Sequence, residues 1–371
     1  MSTGFYWDER TMWHGGGNYA FTVPLGGLVQ PLAAGGLPES PETKRRLKNL
    51  MDVTGLTGDL AVTSAEAASQ DQLLRVHPAE YLNEFKALSD VGGGEIGHHA
   101  PFAKGGYELA ALSTGLAVGA VDAVLTGAHE NAYALSRPPG HHCEAGAPMG
   151  FCLMANIAVA IEAAKATRPD LRVAVLDWDV HHGNGTEAIF YDRADVLTLS
   201  FHQEGNYPLD TGGLKDRGTG AGTGFNVNLP LPAGAGHTAY LHAMDRVAIP
   251  AIEAFAPDLI IVACGYDAAA IDPLARMLAT AETFREMTLK IKGLAERVCD
   301  GRLVLVHEGG YSEVYVPFAG HATLEALSGS RITAPDPMAR ALQSRQPGAR
   351  LDAFLINEID RMAALLDLPT P

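Results

Sequence analysis

The sequence predicts a doubly wound α/β fold in one domain spanning residues 1–371, and three observations carry that expectation. Short β-rich runs alternate with longer helical patterns through the middle of the chain, the signature of parallel strands joined by crossover helices. Several of the strand runs are almost wholly apolar, as expected where helices cover both faces of a sheet. Neither a Pro/Ser-rich linker nor a block of charge divides the 371 residues, of which 47% are hydrophobic and 19% charged.

The predicted strands are Ala132–Leu135, Arg172–Leu176, Val196–Ser200, Leu259–Cys264 and Leu303–His307. The predicted helices include Met154–Ala166, His237–Phe255, Ala281–Cys299 and His321–Ser328. Before them, residues 8–41 are too rich in Gly and Pro for regular structure and read as a long loop. At the other end, residues 351–366 place Leu351, Phe354, Leu355, Ile359, Met362 and Leu366 at helical spacing, which predicts a packed helix.

Composition narrows the function classes. A formal net charge of −16 disfavours nucleic acid and anionic membranes as partners. No run of about 18 apolar residues suggests a membrane span. The first residues lack a basic stretch followed by an apolar core, so no signal peptide is expected and the location expected is cytoplasmic. Cys143, Cys152, Cys264 and Cys299 form no Cys-x-x-Cys pair and read as free thiols in a reducing compartment.

Polar residues collect directly after four of the predicted strands. The clusters are "SRPPGHHC" from 136, "DWDVHHGNG" from 177, "GYDAAAIDP" from 265 and "HEGGYSE" from 307. In open α/β sheets ligands bind beyond the carboxyl ends of strands, so the four clusters should converge on one site.

Asp179 and His181 are two residues apart, and in extended chain they face the same side. Asp267, at the end of another strand, adds a second carboxylate. Two oxygens and one nitrogen leave a coordination position open, the layout of a catalytic zinc site. A metal there would offset the cost of burying these charges. An Asp-x-His unit alone is weak, since surface loops carry it often; the other strand ends give it weight. Asp177 shares that side, and could orient a histidine or help hold a monovalent cation. His141 and His142 taken alone read as turn residues. Beside a metal, one imidazole can accept a proton from activated water while the other assists. A lone tyrosine is usually packing, but Tyr311, after Gly-Gly at a strand end, can donate to a developing oxyanion.

With "RPPGHH", "MGFC", "DWDVHHGNGT", "GYDA", "DPLARM" and "HEGGYS" in view, the chain resembles the zinc-dependent histone deacetylase family, nearest to class II enzymes and bacterial histone deacetylase-like amidohydrolases. The resemblance implies the arginase/deacetylase fold, with a central eight-stranded parallel sheet and helices on both faces. It implies one Zn²⁺ held by Asp179, His181 and Asp267. It makes His142 the general base and acid, His141 an electrostatic helper paired with Asp177, Asn184 the partner of His142, and Tyr311 the donor to the carbonyl oxygen. Phe151, Tyr207, Gly150, Leu274 and Gly309 would lie about a narrow substrate tunnel. A structural K⁺ would sit near Asp177, Asp179, His181, Ser200 and Phe201, largely on backbone carbonyls. Bacterial relatives suggest a homo-oligomer.

Two positions depart from the family pattern. Tyr207 stands where bacterial relatives carry a second tunnel phenylalanine, which would make the tunnel less apolar. Tyr266 replaces the usual Phe before the ligand aspartate, a change expected to be tolerated. The function expected is hydrolysis of an acyl-lysine-type carboxamide, with small N-alkyl amides or acetylpolyamines as alternative substrates. Polyamine enzymes need carboxylates at the tunnel mouth, and Glu95 and Glu204 are the candidates. More distant alternatives are a ureohydrolase with two manganese ions and an inactive acyl-binding module.

Overall fold

The five predicted strands are the contiguous centre of a larger sheet. The computed structural model describes residues 2–30 and 36–367. In it β1 (Thr3–Tyr6), β2 (Leu60–Thr63), β3 (Asn131–Ala134), β4 (Val173–Asp177), β5 (Val196–Gln203), β6 (Asn226–Leu231), β7 (Leu259–Cys264) and β8 (Leu303–His307) form one sheet. The spatial order is β6-β5-β4-β7-β8-β3-β1-β2, and every neighbouring pair is parallel. The strands missing from the sequence reading are the two edges and β1. Their pattern is weak for physical reasons: β1 has four residues, β2 exposes half of its side chains, and β6 carries Pro230, a residue suited to an edge.

Helices cover both faces. On one, Gly106–Leu125 and Asn156–Lys165 pack Leu116, Val121 and Ile161 against Val175, Ile261 and Val304. On the other, Pro41–Thr54, Ala281–Val298 and Val316–Ser328 pack Leu47, Phe284, Ile291 and Leu324 against Leu176, Val262 and Leu305. Full burial of such a side chain stabilises by about 1.5–3 kcal/mol, which fixes which alternate residues face which layer. Helix Gly106–Leu125 is long and apolar enough to cross a membrane by length and composition, a property the sequence reading did not register. Here 67% of its apolar window is buried within the protein.

Helix boundaries follow local chemistry. Ser40 caps the first helix by accepting from the Glu42 N–H, with Pro41 in its first turn. The segment expected as one helix, His237–Phe255, is interrupted by a π turn at Met244–Ala248. Pro250 follows directly; it has no N–H to give, and its ring crowds the preceding turn. The helix expected from His321 begins earlier, at Val316. The C-terminal helix, Ala349–Leu365, buries Leu355, Ile359, Met362 and, just past its end, Leu366. Leu351 and Phe354, expected on that stripe, are 40% and 51% exposed and lie off it.

The long loop at 8–41 holds more order than its composition predicts. It contains a 3₁₀ turn at Glu9–Trp13 and a two-rung hairpin of Tyr19–Ala20 with Val23–Pro24; residues 31–35 of it lie outside the described residues. Buried Arg137 holds it. Its guanidinium donates to the carbonyls of Thr11 (3.2 Å), Met12 (3.3 Å), His14 (2.7 Å) and Glu39 (3.1 Å), and pairs with the Glu39 carboxylate at 2.9 Å. The Lys44 ammonium completes a buried triad, 3.1 Å from Glu39.

Candidate active site

Parallel strands put all their carboxyl ends on one edge, so the four polar clusters meet there. Asp179 and His181 follow β4, Asp267 follows β7, and all three are buried. Their ligand atoms lie within 4.8 Å of one another. His181 Nδ1 is 3.0 Å from Asp179 Oδ1 and 3.1 Å from Asp267 Oδ2. One imidazole proton can serve only one of these carboxylates. Burial, then the charge of Asp179, pushes the Asp267 carboxyl up to about 6. The cluster is thus short of positive charge, and its oxygen–nitrogen–oxygen donor set suits Zn²⁺. Backbone donors fix the carboxylates: Gly309 N–H gives to Asp179 Oδ2 (2.8 Å) and Val180 N–H to Asp267 Oδ1 (2.8 Å). Gly309 must be glycine, because a Cβ there would stand 2.2 Å from Asp267 Oδ2 and 2.5 Å from Asp179 Oδ2. It therefore backs the two carboxylates, beneath the tunnel lining itself.

The two adjacent histidines are wired differently. His141 Nδ1 donates to Asp177 Oδ2 at 2.9 Å. Burial opposes its charge, but the charges of Asp179 and Asp177 outweigh burial and push the imidazole up to about 10. His142 Nδ1 donates to Asn184 Oδ1 at 2.8 Å, while Asn184 Nδ2 gives to the His142 carbonyl (3.4 Å) and Glu144 (3.3 Å). Burial, then the neighbouring His141 and His181 charges, hold His142 well below the usual range. It is neutral, with Nε2 left as an acceptor.

Above these groups lies a cavity of about 150 Å³, walled by Phe151, Tyr207, Leu274, Gly150 and Tyr311, with His142 and His181 at its floor. The Phe151 and Tyr311 rings meet edge to face at 5.7 Å, and Tyr207 stands at 88° to His142 at 5.0 Å. Gly150 has φ +54, and a Cβ there would come within 2.4 Å of His142. Burial pushes the Tyr311 hydroxyl well above its ordinary range, so it keeps its proton. Tyr266 is fully buried, its hydroxyl 3.1 Å from that of Tyr133, which accommodates the extra oxygen.

Ser200 sits beside Asp177 in the sheet register, followed by buried Phe201. Asp177, Asp179 and His181, at and just past the end of β4, thus lie beside Ser200 and Phe201 within β5. A second group, His141, Cys152 and Glu308, also comes within 4.8 Å. Burial pushes the Cys152 thiol well up, away from the thiolate a metal needs. One Glu308 oxygen, Oε2, is engaged, accepting from Gly140 N–H (2.6 Å) and His141 N–H (3.1 Å).

Glu308, which shapes the His-His turn, and Asp272 join the site without a motif role of their own in the sequence. Asp272 accepts from Tyr311 N–H and Leu274 N–H, at 2.8 and 2.9 Å. Both lie inside clusters already noted, so the signal was a carboxylate too close to the site to be incidental. Thr22, His99 and Asn206 complete the tunnel mouth and carried no signal. Glu95 and Glu204, the polyamine candidates, do not line it: Glu95 accepts from Tyr19 Oη (2.7 Å) and Glu204 faces a separate cavity.

The chain is similar to known proteins of one family. A sequence profile of the histone deacetylase domain matches residues 37–327. A histone deacetylase-like amidohydrolase of Pseudomonas aeruginosa is 56% identical over 366 residues, covering 99% of this chain and 96% of its own length. A probable deacetylase of Archaeoglobus fulgidus is 37% identical over 303 residues, covering 80% of this chain and 84% of its own. The crystal structure of the HDA15 HD domain matches with a TM-score of 0.81 at 29% identity, covering 99% of each chain.

Proposed function

The chain belongs to the histone deacetylase family, as a deacetylase-like amidohydrolase, and on that premise we propose that it uses zinc to hydrolyse acyl-lysine-type carboxamides. The observation that carries the reading is the meeting of three metal-type donors with the His142 and Tyr311 side chains about one narrow tunnel. Zinc held by Asp179, His181 and Asp267 would polarise the amide carbonyl and lower the pKa of water toward ~7.

The protein's own groups do the rest. Phe151, Tyr207 and Leu274 take the extended amine part and exclude solvent. His142 Nε2 takes a proton from the water that adds to the carbonyl and passes a proton to the leaving nitrogen. Asn184 keeps the proton on His142 Nδ1, which fixes the tautomer. His141, held by Asp177, supplies positive charge beside the reacting carbon. The Tyr311 hydroxyl donates to the carbonyl oxygen as negative charge builds there. Products are a carboxylate and a free amine. Potassium at the Asp177–Ser200 edge would be structural.

Among the described residues the tunnel lining contains no carboxylate, which weighs against a polycationic substrate. The small volume of the tunnel, about 150 Å³, keeps short N-alkyl amides in view as a second substrate class. A hydrolysis panel of an ε-acetyl-lysine amide, an acetylated polyamine and a short N-alkyl acetamide tests the assignment. Turnover of the first above the others supports it; turnover of the polyamine alone overturns the substrate class.

A further inference from the structure

The chain carries three His-His pairs, and the pair at 98–99 has no part in the chemistry above. Its backbone is laced to the segment bearing Phe151. His98 N–H donates to the Pro148 carbonyl (3.3 Å), Gly150 N–H to the His98 carbonyl (3.0 Å) and Phe151 N–H to the His99 carbonyl (2.7 Å). Gly97 lets the strands approach, since a Cβ there would lie 2.0 Å from the Pro148 oxygen. The His98 side chain reaches the opposite wall. Its Nδ1 is 3.2 Å from Tyr207 Oη, and the two rings are near parallel, at 13° and 6.0 Å between centroids. His99 meets Tyr207 at 61° and lines the tunnel mouth.

One dipeptide therefore ties the Phe151 wall through its backbone and the Tyr207 wall through a side chain. A phenylalanine at 207 would offer His98 no oxygen, so the hydroxyl has a partner outside the tunnel rather than in the substrate path. We propose that His98 is a positioning residue that holds the Tyr207 ring and thereby sets how tightly the tunnel grips the amine part of the amide. The proposal rests on the hydrolase reading of the same tunnel. The grip is selective for slender alkyl chains such as that of lysine, because a ring fixed at right angles to His142 leaves a slot rather than a wide mouth.

The test is a double-mutant cycle on the metal-loaded enzyme, with His98→Ala, Tyr207→Phe and the double variant, plus His98→Asn, whose amide can reach the place of Nδ1. His98→Ala should raise KM for an ε-acetyl-lysine amide about three- to tenfold with a smaller change in kcat, the pattern of lost binding rather than lost chemistry. His98→Asn should restore most of it. In the Tyr207→Phe background His98→Ala should add little, because the bond it breaks is already gone. Equal effects of His98→Ala in both backgrounds, or none in the parent, would overturn the proposal. The affinity of a linear hydroxamate, measured on the same four proteins and the parent, reads the same coupling without turnover. A parent that hydrolyses no amide but shows that coupling would sink the hydrolase reading and leave the positioning role standing. Absent coupling in an active parent would do the reverse.

Discussion

Asp272 Oδ2 accepts the backbone N–H of Tyr311 at 2.8 Å, across 39 residues of sequence. The same carboxylate accepts from Leu274 at 2.9 Å, so one side chain orients both Tyr311, the proposed oxyanion donor, and a tunnel wall. Asparagine has one acceptor oxygen, and its amide nitrogen would face an N–H. Asp272→Asn should therefore lower kcat by about 10²-fold, the usual result of displacing a reacting group by about 1 Å. Stopped-flow or steady-state kinetics on folded variant check this; an unchanged kcat would remove Asp272 from the site.

In the proposed mechanism Tyr311→Phe deletes a donor needed chiefly when charge builds on the carbonyl oxygen. Loss of one such donor costs about 10²–10³ in kcat, or about 3–4 kcal/mol. Ground-state binding of the amide should change much less. Kinetics on the variant alone, and combined with Asp272→Asn, should show far less than additive losses, because the second change acts through the first.

Arg137→Met should leave the Glu39 carboxylate with Lys44 alone and remove the Arg137 donors from four loop carbonyls. Breaking a buried ion pair from one side costs roughly 3–5 kcal/mol. A drop in Tm, with faster proteolysis within residues 9–30, is the expected result; cleavage unchanged in rate and position would argue that the loop is held by other contacts.

Acid stability should depend on His77. Its Nδ1 donates to the Ala145 carbonyl (2.7 Å) and its Nε2 accepts from Ala155 N–H (3.1 Å), which requires the neutral ring. Burial holds it down, to about 4. Between about 4 and its ordinary range near 6.5 the unfolded chain takes up a proton that the folded one refuses. Stability must then fall as pH drops through that window, by up to about 3 kcal/mol from this residue. Urea unfolding of the parent and His77→Gln from pH 4 to 7 should differ in slope by one proton.

How much of this was legible beforehand follows from what each residue's role depends on. Asp179, His181 and Asp267 declare themselves, because carboxylates and imidazoles directly after apolar strand runs have few cheap explanations. The central strands are equally plain, being covered on both faces. Edge strands such as Asn226–Leu231 and the four-residue Thr3–Tyr6 lack that pattern. Roles that depend on contacts between distant segments left no local trace: Arg137 meets Glu39 across 98 residues, and His98 meets Tyr207 across 109. The loop at 8–41 looked structureless because part of its order comes from Arg137, far away in sequence, which binds its Thr11, Met12, His14 and Glu39.

Metal content measured alongside turnover tests the central claim most directly. Protein dialysed against a chelator and then titrated with Zn²⁺ should bind about one tight equivalent per chain and regain hydrolysis of an ε-acetyl-lysine amide in step with occupancy. Asp179→Ala and Asp267→Ala should neither bind nor recover. Full turnover by the metal-stripped parent, or recovery only with two manganese ions per chain, would contradict the account.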